Sequence, residues 1–159
     1  MPADDTVHDR IMANVIASLA TIVAGASFYT TVSRVHEMKG NAFACLEMPA
    51  VIVSHLGCDE KYGAIDQVEC NLKLAVSLVM KHDESGNWQR DIRRFAEDAK
   101  KLLRTDFGRG TFAGNANAFD TYIEGVEVAN ENDGFPVALA QINVRIQFRH
   151  NLDDPTVAT

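Results

Sequence analysis

The sequence predicts an α+β domain: a single, mostly antiparallel sheet of about five strands packed against two helices, in the order α-β-β-β-α-β-β. Apolar residues recur at helical spacing in two separate stretches, and two others alternate strictly with period two. The strands also come in groups instead of alternating with helices, which is the pattern of an α+β domain. The 159 residues, 47% of them apolar, suffice for one core. Residues 1–150 are read as a single domain and 151–159 as a flexible C-terminal tail.

The first helix is expected from Asp4 to Ala24. Val7, Ile11, Val15, Leu19, Ile22 and Val23 form its buried stripe, Asp4, Asp5 and Asp9 favour its positive end, Thr6 and Asp9 make a weak capping box, and Gly25 ends it. Phe28 to Met38 is rich in β-branched and aromatic residues, but its alternation slips between Val32 and Val35, as a bulge or a short edge strand would require. Lys39 to Met48 reads as a loop. Pro49 opens AVIVSHL, a continuous apolar run of the kind covered on both faces. From Val68 to Lys81 seven alternations without error define a long strand with one buried face, and His82 to Gly86 turns the chain.

A second helix runs from about Asn87 to Arg104. Trp88, Ile92, Phe95, Ala96, Ala99, Leu102 and Leu103 form its apolar face, and Asn87 is placed to accept from the first free N–H groups. Thr105 to Ala118 is rich in Gly and Asn and long for a connection, so it reads as mobile or functional. Phe119 to Val128 alternates imperfectly, residues 129–134 are a turn signal, and Val137 to His150 alternates cleanly after Pro136.

Composition removes several function classes. A charged fraction of 23% with a mean hydropathy of −0.10 is not that of a disordered tail, and no apolar run reaches the roughly 20 residues of a membrane span. Fifteen basic against 22 acidic residues, a formal charge of −7, disfavour general nucleic-acid binding, which needs a basic surface. Cys45, Cys58 and Cys70 are odd in number and lack metal-ligand spacing, and Pro2, Asp4 and Asp5 are unlike a basic secretory leader. A reduced, cytoplasmic origin is therefore expected.

No catalytic set is legible. The three cysteines read as structural, the five histidines are scattered singly, and His82, Asp83 and Glu84 diverge from adjacent positions on a turn. Phe107 to Gly114 (FGRGTFAG) lacks the Lys-Ser/Thr ending of a phosphate-binding loop and leads into a strand. The basic face of the second helix (Arg90, Arg93, Arg94, Lys100, Lys101, Arg104) is interleaved with Asp91, Glu97 and Asp98, as on a salt-bridged exterior. The expectation is no enzyme, no cofactor and no metal.

Taken together, the segments RIMANVIASLATIVA, YTTVSRV, PAVIVSHLG, VECNLKLAVSLVM, WQRDIRRFAEDAKKLLRTD, TYIEGVEV and PVALAQINVRIQF resemble the tail terminator (tail completion) proteins of long-tailed bacteriophages. The resemblance covers almost the whole chain and lies in the order of elements, with Asp98 in the middle of the second helix. It implies a homohexameric ring in the virion, at the head-proximal end of the tail and assembled in the host cytoplasm. Such a ring caps the tail tube, ends its polymerisation and meets the head-side connector or stopper protein, while DNA passes through without sequence-specific binding. Candidate assembly contacts are Arg90, Arg93, Arg94, Phe107, Arg109, Phe112, Asn115 and Arg145, with the 64–67 and 82–87 turns. Two alternatives stay open: another neck, connector or head-completion component of the particle, and a small α+β ligand-binding domain or enzyme.

Overall fold

The computed structural model describes residues 5–37, 47–63, 65–81, 87–128 and 137–159. Helix α1 (Val7–Leu19) is followed by strands β1 (Arg34–Glu37), β2 (Ala50–Tyr62) and β3 (Gln67–Lys81). Helix α2 (Trp88–Thr105) comes next, then β4 (Thr111–Phe112), β5 (Asn115–Ala116), β6 (Asp120–Val128) and β7 (Val137–Asn151). The main sheet has the order β1-β2-β3-β7-β6, and β4 and β5 form a separate hairpin. The α+β class and the α-β-β-β-α-β-β order hold for the main elements. The sheet, however, is mixed and not mostly antiparallel, because β1 runs parallel to β2 while the other three pairings are antiparallel.

The centre is the pairing of β3 with β7, fifteen residues on each strand in unbroken register from Gln67–Asn151 to Lys81–Val137. Their alternation puts Val68, Cys70, Leu72, Leu74, Val76 and Leu78 beside Ala138, Ala140, Ile142, Val144, Ile146 and Phe148 in one core. Both helices bury their stripes there: Val7, Ile11, Val15 and Leu19 from α1, and Trp88, Ile92, Phe95, Ala99 and Leu103 from α2. The opposite face of the sheet is apolar at one end, where Ala50, Ile52 and Val79 are buried with Met48, Val137 and Leu139 packed against them. The run after Pro49 is thus covered on both faces, and β3 buries Ala75 and Val79 on its second face as well.

Several boundaries differ from the sequence reading for identifiable reasons. The capping box of α1 forms: the Thr6 hydroxyl accepts from the Asp9 N–H at 3.1 Å, and the Asp9 carboxylate accepts from the Thr6 N–H at 3.2 Å. The helix stops at Leu19 instead of Ala24. The Thr21 hydroxyl donates to the Ser18 carbonyl at 2.7 Å, and Ile22, still buried, accepts from the Val32 N–H at 2.9 Å. The strand expected from Phe28 begins only at Arg34, because the Tyr29 and Thr30 N–H groups are both taken by the Asp98 carboxylate of α2 at 2.8 Å. Asn87 does not cap α2 with its side chain; its backbone is already helical (φ −90°, ψ −5°), which withholds the extended geometry a side-chain cap uses.

Imperfect alternation in β6 is a bulge between Ile123 and Gly125, and β2 carries another between His55 and Gly57. The C-terminal segment, expected to be a flexible tail, folds back onto the domain. The Asn151 N–H donates to Val157 O, Val7 N–H to Pro155 O, and Ala158 is buried and bridges His150. The expected loop at 39–48 (largely), Cys45, Ala64, the 82–86 turn, the 129–134 turn and Pro136 lie outside the described residues. No helix among the described residues is long and apolar enough to cross a membrane.

Candidate functional site

The eight candidate contact residues occupy three separate exteriors and one interior. Arg90, Arg93 and Arg94 project from the solvent face of α2. Arg90 pairs with Asp91 at 3.5 Å, the Arg93 Nε donates to the Gln89 carbonyl at 3.2 Å, and the Arg94 guanidinium lies 4.9 Å above the Tyr29 ring. Farther along the same helix Lys100 pairs with Glu97, and Lys101 donates to the Ser27 carbonyl at 3.1 Å while covering Phe28. This face is salt-bridged, as its interleaved charges imply, and it also clamps the 27–30 segment.

Phe107, Phe112 and Asn115 are exposed on the segment after α2. Phe112 and Asn115 flank a two-residue turn in which Ala113 and Gly114 both have positive φ (50° and 85°), the conformation that matches a tight hairpin. This segment, read as mobile or functional, is ordered against its own domain. The Asp106 carboxylate accepts from Asn14 at 3.1 Å and from the Gly110 N–H at 2.9 Å, and Arg10 donates to the Asn117 side chain at 3.0 Å. Arg10 also lies 4.1 Å from the centre of the Phe112 ring.

Arg109 is the one of the eight that does not reach the subunit's exterior. It is fully buried, with a left-handed backbone (φ 54°) that turns its side chain inward, where it donates to the Leu103 carbonyl at the end of α2. Its Nε and Nη1 have no hydrogen-bond partner among the described residues, and burial pushes the guanidinium below its ordinary pKa, with Asp106 opposing. Among flanking glycines an Arg reads as exposed, but here it satisfies one of the free carbonyls at a helix C-terminus.

Arg145 stands on the other face of the sheet. Its guanidinium lies 4.9 Å above Tyr122 and 3.2 Å from Glu124, within a charged row in which Lys73 reaches Asp59 at 2.6 Å. A second row joins Arg149 to Glu69, and Arg149 also covers Phe119 at 5.0 Å. Among the described residues one arrangement therefore occurs four times, arginine over an exposed aromatic ring: Arg94–Tyr29, Arg10–Phe112, Arg145–Tyr122 and Arg149–Phe119. The sequence reading missed Tyr29, Arg10, Tyr122, Phe119 and Arg149, because each pair joins different elements. For the Arg145–Tyr122 pair on β7 and β6, the alternation of those strands was the available signal.

The edge strand β6 adds exposed Val126 and Val128, and the 67–81 hairpin partner β2 ends in exposed Tyr62, with Ile65 in the turn beyond. Cys58 and Cys70, twelve apart in sequence, become neighbours across β2 and β3, where Cys58 pairs with Leu72 and Glu60 with Cys70. No family model matches the chain, and no curated protein matches it.

Proposed function

We propose that this chain is a structural virion protein that assembles into a ring, of six subunits by the resemblance, which caps the phage tail tube, ends its growth and joins it to the head-side connector. The observation that carries the reading is the repeated arginine-over-aromatic exterior. Tyr29, Phe112, Phe119 and Tyr122 are 67%, 46%, 46% and 38% exposed, each beneath a guanidinium. Aromatic residues and arginine are the side chains enriched at association surfaces and their energetic centres, and a stacked guanidinium holds the ring in one orientation before a partner arrives.

A closed ring of identical subunits uses two different patches on each copy, and the angle between them decides whether the contacts close. The exterior of α2 with Tyr29 offers one patch. The free edge of β6, with Tyr122, Val126 and Val128, offers another, suited to main-chain pairing with a neighbour. One rim of the ring matches the growing tube end and the other does not, so subunit addition stops.

The test is tube growth in the presence of purified protein, with ring formation followed by electron microscopy. The expected result is six-fold rings at one end of tubes of uniform length, and overlong tubes without the protein. The double variant Val126→Lys/Val128→Lys is expected to keep the monomer's melting temperature and lose the rings. Tubes of the same length distribution with and without the protein would refute the capping role, and rings found only on the connector would favour a neck component.

A further inference from the structure

Where β2, β3 and β7 lie side by side, one end of the helix-facing side of the sheet gathers donors of the kind that bind metal. Register puts Glu60 opposite Cys70 on β3, and Val68 opposite His150 on β7, so all three side chains share a face. One ligating atom from each of Glu60, Cys70 and His150 lies within 4.8 Å of the other two. Cys58 lies on the same face, diagonal to Cys70 across β2 and β3, but outside this trio of donors. The His150 Nδ1 lies 2.7 Å from the Asn151 carbonyl. With Nδ1–H donating there, the Nε2 lone pair is left for a ligand, the arrangement that fixes the tautomer of metal-binding histidines.

We propose that Cys70, His150 and Glu60 form a binding site for a single thiophilic divalent cation of the zinc type, which fastens the β2–β3 hairpin to β7. A thiolate, an imidazole and a carboxylate make a three-ligand set that suits tetrahedral zinc with water in the fourth position and is too soft for calcium or magnesium. Bond lengths of 2.0–2.3 Å place tetrahedral ligands about 3.3–3.8 Å apart, so the group needs to contract by roughly 1 Å. Glu60 is exposed at the rim and free to make that movement, whereas Cys70 is buried and fixed. A thiol ligates only as the thiolate, so the cation takes the place of its proton on binding. The site is independent of ring formation and of the tail assignment.

The reduced, metal-free protein titrated with Co²⁺ and then Zn²⁺ tests the site. The expected result is one equivalent of Co²⁺ with a thiolate-to-metal charge-transfer band in the near ultraviolet and tetrahedral visible bands. Zn²⁺ should displace it without further proton release, whereas loading the metal-free protein with either cation should release about one proton. Cys70→Ser and His150→Gln should each weaken binding at least ~100-fold, since loss of a mere supporting contact costs 10–100-fold, while Cys45→Ser should change nothing. Because Cys70 is buried, His150→Gln keeps the test decisive if Cys70→Ser fails to fold. A six-coordinate spectrum without the thiolate band, unchanged affinity in His150→Gln, or a reduced protein that takes up no cation while its oxidised form links Cys58 to Cys70 would overturn the proposal.

Discussion

Two buried charged side chains show how single residues bind distant parts of this chain together. Asp98 is 3% exposed, and one of its oxygens accepts from two successive backbone N–H groups at 2.8 Å, holding residues 29 and 30 against α2. Asp98→Ala strands both donors in a buried setting and is expected to cost about 3 kcal/mol of stability, read as a lower urea midpoint. Arg109 fills the space under the 105–118 segment and closes the end of α2. Arg109→Ala leaves a cavity and a free carbonyl, at a cost of about 3 kcal/mol by comparison with other large-to-small core changes. Phe112→Ser, on the exposed hairpin, should leave the melting temperature unchanged and weaken association alone. Thermal melts beside ring formation separate the two effects.

Elements also meet through titratable groups at the contact between α1 and β2. The His8 and His55 rings lie 4.9 Å apart, and burial, then His55, lowers the His8 pKa against the opposing pull of Asp9. His8 thus binds a proton less readily folded than unfolded. Its neutral form favours the fold above the ordinary histidine pKa near 6.5, and this stability is lost as pH falls through and below that value. Urea midpoints measured between pH 7.5 and about 5 should fall more steeply for the native chain than for His8→Gln. Equal slopes would show that the contact carries no charge penalty. Main elements of this kind were legible wherever one physical rule dominated. The β3 and β7 alternations gave both strands nearly to the residue, and the slipped patterns in β1 and β6 became a short edge strand and a bulge. Boundaries set by a remote partner were not legible, as with Asp98 shortening β1.

For the molecule as a whole, the Glu60–Cys70–His150 cluster was hidden for a similar reason. Spacing along the chain did not suggest a site, and only the β2–β3 and β3–β7 registers bring the three residues to one face. Arg109 was misread because composition alone places arginine outside. Net charge was legible and has consequences for association: each chain carries a formal −7, so six copies carry −42. Mutual repulsion opposes closure, and salt screens it over a Debye length that shrinks from roughly 30 Å at 0.01 M to 8 Å at 0.15 M. Ring formation by the isolated protein is expected to strengthen across that range, measured by native mass spectrometry or sedimentation. Weakening with salt would show that opposite-charge pairs dominate the contacts.

The ladder between β3 and β7 runs through the middle of the sheet for about 50 Å at the usual rise per residue. A pull along that axis loads all of its rungs together and does not peel them one after another. The centre of the subunit therefore behaves as a stiff beam, and bending under strain is left to the short edge strand, the bulged strands and the turns around it.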